Sequence, residues 1–167
     1  MIKYPKELIN QDLTVLEENI LFMHLKNNIA FEDMLKSLRG NMYMRYKSCI
    51  AKIQKHLDYS NYILLDERYF TLKLRNSRRL YKLYLLLNKP SLIPFSKLEL
   101  VNIPVYKYHS YNKRVLNPIF KELTKVFGLH FGFTESGISI DDVSNSDGCD
   151  YEFELILKVK KVVANVD

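Results

Sequence analysis

The sequence predicts an α+β fold, and three observations carry that prediction. Apolar residues recur at helical spacing over Leu13–Leu25, Phe31–Leu38 and Met42–Leu57. Two β-like runs follow, Tyr62–Leu65 and Tyr69–Leu74, with Asp66-Glu67-Arg68 between them as a hairpin turn. The order then begins again after residue 75, as a second amphipathic helix, a short helix, a long basic helix and further strand-like runs.

Each element has its own signals. In the first helix Leu13, Leu16, Ile20 and Met23 share a face, Asp12 or Thr14 caps the start, and Asn27-Asn28 breaks it. Glu17 and Glu18 suit the positive end of its dipole. Phe31, Met34, Leu35 and Leu38 form the stripe of a short second helix that Gly40 ends. The third helix carries Met42, Tyr46, Cys49, Ile50, Ile53 and Leu57 on one face and Arg45, Ser48, Lys52 and Lys55 on another. In the second half, Leu80, Leu83, Tyr84 and Leu87 mark a helix whose leucine-rich arc is expected to be buried between two units. Pro90 and Pro94 read as a loop, and Ser96–Val101 as a short helix capped by Ser96. Over 110–127, Val115, Ile119, Leu123 and Val126 point inward and Arg114, Asn117, Lys121 and Lys125 outward. Leu129–Phe133 and Tyr151–Val159 are strand-like, with a polar loop between. Overlaying the halves pairs Leu16 and Ile20 with Leu83 and Leu87.

Composition excludes several classes. A chain of 167 residues that is 47% hydrophobic and 26% charged can bury a core. Cys49 and Cys149 lie too far apart in sequence for a zinc motif and are too few for a disulfide scaffold. No apolar run approaches the ~18 residues of a membrane span, and the first residues lack a signal-peptide core, so a cytoplasmic protein without membrane contact is expected. The net charge of +6 hides a strong asymmetry: residues 1–34 carry −3, residues 36–125 carry +14 and residues 126–167 carry −5. A basic centre between acidic ends is the footprint of a polyanion binder.

Three helices followed by a hairpin is the layout of a winged helix, whose third helix enters the major groove. The repeated order therefore predicts two tandem winged-helix (helix-turn-helix) domains, residues 1–75 and 76–167. Three stretches carry a family resemblance. Lys6-Glu7-Leu8-Ile9-Asn10 with Leu13-Thr14-Val15-Leu16-Glu17-Glu18-Asn19-Ile20-Leu21 resembles the opening of the first winged helix in replication initiator (Rep) proteins of theta-replicating plasmids. Asn76-Ser77-Arg78-Arg79-Leu80-Tyr81-Lys82-Leu83-Tyr84-Leu85-Leu86 is similar to the S-x-x-L-Y-x-L-L opening of their second, departing at Tyr84. Tyr111-Asn112-Lys113-Arg114-Val115-Leu116-Asn117-Pro118-Ile119-Phe120-Lys121-Glu122-Leu123 resembles their F-x-x-R-V-L-x-P-x-x-x-E-I recognition helix. The resemblance implies two winged helices, binding of repeated origin sequences in duplex DNA, and a homodimer able to dissociate for binding; replisome proteins are a further expected partner. The chain is shorter than typical members, and its last hairpin is acidic where a DNA-contacting wing would be basic.

The candidate DNA-binding residues are Arg45, Lys47, Ser48 and Lys52 on the first long helix, Arg78 and Arg79 at the start of the leucine-rich helix, and Tyr111, Asn112, Lys113, Arg114, Asn117 and Lys121 on the second long helix. Lys and Arg contact phosphates, whereas Asn suits adenine and Arg or Lys suits guanine. Pro118 cannot bond to Arg114, so the second long helix either kinks there or starts at Asn117 with Pro118 in its first position. Tyr106, Tyr108 and Tyr111 stand out from tyrosines otherwise spaced for a core. The acidic residues within 135–154 (Glu135, Asp141, Asp142, Asp147, Asp150, Glu152 and Glu154) lack the EF-hand pattern and read as a solvated loop. The four histidines are isolated, and neither a P-loop nor a G-x-S-x-G elbow occurs. No catalytic residue, metal or cofactor is therefore expected. A winged-helix transcription regulator, or a replisome adaptor that does not bind DNA, is the alternative function.

Overall fold

The computed structural model describes residues 1–143 and is an α+β assembly. In chain order it contains β1 (Ile2–Pro5), α1 (Val15–Asn27), α2 (Phe31–Lys36), α3 (Gly40–Lys55), β2 (Tyr62–Leu65), α4 (Arg75–Leu86), β3 (Leu92–Pro94), α5 (Phe95–Leu98), α6 (His109–Phe127), β4 (Leu129–Phe133) and β5 (Gly137–Asp142). Short 3-10 helices at Lys6–Gln11, Glu67–Thr71 and Glu99–Val101 connect them.

Local chemistry sets the helix boundaries. Thr14, not Asp12, caps α1: its hydroxyl accepts from the Glu17 amide at 3.3 Å while the Glu17 carboxylate accepts from the Thr14 amide at 2.8 Å. This reciprocal pairing satisfies two otherwise orphaned donors. Asn28 closes α1 in the left-handed region. Gly40 does not end α2. It opens α3 with φ +58, a conformation that suits a residue without a Cβ. Pro94, rather than Ser96, precedes α5. Pro118 neither starts nor ends α6, which runs continuously from His109 until Gly128 caps it at φ +71.

Four strand assignments differ from the sequence reading. Tyr69–Leu74 is not the second strand of a hairpin. Residues Glu67–Thr71 form a 3-10 helix whose Tyr69 is wholly buried, and β2 pairs with β1 instead. Strand β1 escaped notice because its alternation, buried Ile2 and Tyr4 with exposed Lys3 between, spans only four residues. Strand β3 forms where a proline loop was expected. It lies at a sheet edge with Pro94 at its end, the placement in which proline removes no needed ladder bond. The partner of β4 is β5, inside the stretch read as an acidic loop: Ile138 and Ile140 point into the core while Ser139 and Asp141 alternate with them. The expected strand at Tyr151–Val159 lies outside the described residues, as does the rest of the acidic stretch.

The internal repeat has a spacing of 60 residues rather than the offset of the Leu16–Leu83 overlay. Ile2 and Tyr62 open β1 and β2, and Val15 and Arg75 open α1 and α4. The β1–β2 register is symmetric under that shift: Ile2 faces Leu65 and Pro5 faces Tyr62, antiparallel. The two copies of the strand thus meet as a local twofold axis requires.

The second sheet has the order β3-β5-β4 and lies against α6, where Phe131 stacks on Phe120 at 4.7 Å between ring centroids. Gly137 is required at the β3 crossing, since a Cβ there would lie 2.2 Å from the Ile93 carbonyl oxygen. Helix α4 is buried as its leucines indicate. It packs against β2 and the turn Lys6–Gln11 on one side and against α6 and the turn Glu99–Val101 on another. Tyr81 of α4 stacks face to face on Phe127 of α6 at 3.9 Å.

Where α1 meets α4, Glu18 and Lys82 form an ion pair at 2.8 Å, each side chain less than 5% exposed. The same Glu18 oxygen accepts from the Tyr69 hydroxyl at 2.9 Å and the Tyr4 hydroxyl at 3.2 Å. Burial, followed by the Glu18 charge, pushes the Tyr4 and Tyr69 hydroxyls well above the ordinary tyrosine value. Lys82→Ala leaves a buried carboxylate without its cation and is expected to cost about 3–5 kcal/mol. Urea unfolding should show that loss, and should show most of it recovered in Glu18→Leu combined with Lys82→Met. A second expectation follows from the tyrosines. Above about pH 10 the unfolded chain releases phenolic protons that the folded chain keeps, so stability falls as pH rises past that value. Unfolding midpoints measured from pH 8 to pH 11 should fall less steeply in Tyr69→Phe than in the wild type.

Candidate nucleic-acid interface

The expected DNA-binding residues divide into groups that the structure treats differently. On α3, Arg45, Lys47 and Ser48 are exposed, and the Lys47 ammonium lies 5.8 Å from the Tyr43 ring centre. Lys52 is turned back toward α1, where its Nζ donates to Glu17 Oε2 at 3.0 Å. Glu17 therefore closes the α1 capping box and holds α3 at once. Glu17 and Glu18 stand in the first turn of α1 as expected, and both are buried.

Helix α4 uses its arginines internally. Arg78 is buried, with Nε donating to the Leu72 carbonyl at 3.0 Å and Nη2 to the Phe70 carbonyl at 3.3 Å. Its guanidinium lies 5.8 Å from the Tyr69 ring centre. Arg79 donates from Nε to Asp12 Oδ1 at 3.0 Å and from Nη1 to Asn76 Oδ1 at 2.7 Å and the Asn102 carbonyl at 3.1 Å. Arg75 reaches the other Asp12 oxygen at 3.0 Å. Burial raises the Asp12 carboxyl, but the Arg79 hydrogen bond and the charges of Arg79 and Arg75 outweigh it and hold the group below the usual carboxylate value. Arg78 is thus a structural residue and not a surface contact. Arg79 is engaged by Asp12, a partner 67 positions away in sequence.

Helix α6 is the element that keeps its cations available. Lys113, Arg114, Asn117 and Lys121 are exposed on its outer side, and Lys125 continues the row one turn further on. Inward, Leu116, Ile119, Phe120, Leu123 and Phe127 are buried, so packing fixes the rotation of the helix and hence the direction of the basic row. The Lys113 ammonium leans over the Phe133 ring at 5.8 Å. Beside the row a shallow groove between α6 and β4 is lined by Asn117, Lys121, Lys125, His130 and Phe131. Lys125 and His130 extend the candidate set, and Lys125 was visible in sequence as the residue four positions after Lys121.

Asn112, expected to read a base, faces inward. Its Oδ1 accepts from the Tyr106 amide at 2.7 Å and its Nδ2 donates to the Tyr106 carbonyl at 3.0 Å. It is buried and acts as a clamp on the loop before α6, while Tyr111 next to it is exposed. The hairpin beside α6 carries Glu135 near its tip and Asp141 on β5, both exposed.

Among the described residues no group of three or more His, Cys, Asp or Glu side chains is placed to hold a metal, and no helix is long and apolar enough to cross a membrane. No protein-family model, curated protein or solved structure matches the chain.

The Asp12–Arg79 contact yields a pH-dependent expectation. A carboxyl whose value is lowered by folding contributes stability above its ordinary value and loses it as pH falls through the folded one. Arg79→Ala is expected to cost about 1 kcal/mol at neutral pH, the scale of a partly exposed charged pair. Urea unfolding at pH 7 and at pH 3 should show a smaller difference between variant and wild type at the lower pH.

Proposed function

We propose that the chain is a non-enzymatic, sequence-specific duplex DNA-binding protein built from two tandem winged helices. We further propose that it initiates plasmid or viral DNA replication at origin repeats. The observation that carries this reading is the outer face of α6. Lys113, Arg114, Asn117, Lys121 and Lys125 stand exposed in a row on a helix held rigidly from behind. Between Glu99 and Glu122 the sequence holds no acid. Cations on such a face supply phosphate contacts, and Arg114 and Asn117 have the side chains that read base edges.

The order of elements supports the same reading. Helix α4, strand β3, helix α5, helix α6 and the hairpin β4–β5, with β3 joined to the hairpin through β5, is the succession expected of a winged helix. In the first half α1, α2 and α3 provide the three helices, but the strand that follows pairs with β1 and forms no hairpin of its own. In this reading α6 is the principal DNA contact, and Arg45, Lys47 and Ser48 of α3 make a second one. The acidic hairpin braces α6 and stays off the phosphates. Initiation in particular rests on the resemblance to Rep proteins, which points to direct repeats beside the gene as the target.

Lys113→Ala combined with Arg114→Ala is expected to weaken binding to duplex DNA carrying those repeats by at least about tenfold, and to reduce the slope of log affinity against log salt by about 2. Asp141→Ala combined with Asp142→Ala should leave the affinity unchanged or raise it. Fluorescence anisotropy titrations at several salt concentrations measure both quantities. Unchanged affinity in the Lys113/Arg114 variant, or binding to DNA that ignores salt, would overturn the assignment of α6.

A further inference from the structure

Tyr106 and Tyr108 precede α6 and Tyr111 stands in its first turn, all three apart from the row of Lys113, Arg114, Asn117, Lys121 and Lys125. Tyr106 is 45% exposed, Tyr108 63% and Tyr111 51%, whereas most other described aromatic residues lie in or against the core. They touch one another: the Tyr111 ring lies 6.0 Å from that of Tyr106 and 6.0 Å from that of Tyr108, at interplanar angles of 51° and 63°. Exposed faces are therefore presented at differing inclinations from one compact patch.

The patch is held in place from below. Ile103 is buried at one end of the loop, and its amide donates to the Leu98 carbonyl at 3.1 Å. Asn112 grips the Tyr106 backbone through both of its amide atoms. A buried asparagine used in this way fixes the loop before any ligand arrives, which lowers the entropy lost on binding. The surroundings are cationic, with Lys107, Lys113 and Arg114 exposed nearby and no acid in sequence between Glu99 and Glu122.

We propose that Tyr106, Tyr108 and Tyr111 form a stacking platform for unpaired bases, so that this end of α6 binds single-stranded nucleic acid. The occupant follows from two requirements. The positive surroundings select a polyanion, and free ring faces select a partner with flat π-surfaces of its own. Bases within a duplex are already stacked on their neighbours and offer only their edges. A single strand offers both the charge and the faces, and stacking of this kind tolerates any base.

The test uses the full chain and a labelled oligothymidylate of about 12 nucleotides, within the range one such surface covers, with a duplex of equal length measured in parallel. Replacing Tyr106 and Tyr108 together by Ala is expected to weaken oligothymidylate binding tenfold or more while changing duplex affinity less than threefold. The corresponding double Phe variant keeps the rings and is expected to bind like the wild type. Thermal unfolding of each variant checks the fold. Should the double Ala variant unfold early, the single substitution Tyr108→Ala, at the most exposed ring, is expected to weaken binding about fivefold or more. The proposal is overturned if the wild type does not bind the oligothymidylate, if removing the rings leaves that binding unchanged, or if single-strand and duplex binding fall together by the same factor.

Discussion

One carboxylate oxygen organises the molecule. Glu18 Oε1 receives a lysine from α4, a tyrosine from β1 and a tyrosine from the turn after β2, so three separate pieces of chain converge on a single acceptor of α1. Removing a carboxylate and an ammonium from water is costly, and the Tyr4 and Tyr69 hydroxyls offset part of that cost at Glu18 Oε1, while Oε2 is buried without a hydrogen-bond partner. With Lys82 fixed, α4 has one position. With α4 fixed, Tyr81 positions Phe127, and through it α6. The Glu18–Lys82 pair and the helix that carries the basic row are thus joined through α4 and the Tyr81–Phe127 stacking.

How charge is distributed follows from the same principle. The central block of +14 suggests a uniformly basic surface, but several of its cations are committed internally. Lys52 holds Glu17, Arg75 and Arg79 share Asp12, Arg78 bonds to two carbonyls, and Lys82 neutralises Glu18. What remains concentrated and available is the side of α6 that faces solvent, together with the exposed part of α3. A summed charge counts these roles equally. The field that an approaching polyanion meets does not.

The helices were legible in the sequence because helical periodicity depends only on neighbours three and four residues apart. The inward and outward faces of α6 lie where the spacing of Ile119, Leu123, Lys121 and Lys125 puts them. The strands were harder to find, since β1 and β3 span four and three residues and gain their identity from partners far along the chain. Strand β5 was hidden by the acids around it, although Ile138 and Ile140 alternate as a strand should. Among the candidate site residues, Lys113, Arg114, Asn117 and Lys121 were found because exposure on a helix follows from phase. Arg78 and Asn112 were misplaced because nothing local distinguishes a polar side chain facing water from one that has found backbone partners in a fold.

The symmetric pairing of β1 with β2 bears on the order in which the chain can acquire its structure. A ribosome releases β1 some 60 residues before its strand partner, and Glu18 still further ahead of the lysine that neutralises it. Until β2 emerges β1 lacks its partner, and until α4 emerges Glu18 lacks its counterion, so the leading segment waits without a completed core. Closure is non-local and therefore slow to begin, because long intervening loops lose entropy before distant contacts repay it. The two copies of the repeat consequently fold as interdependent partners, and cutting the chain between them would separate each half from a strand or a counterion that only the other half supplies.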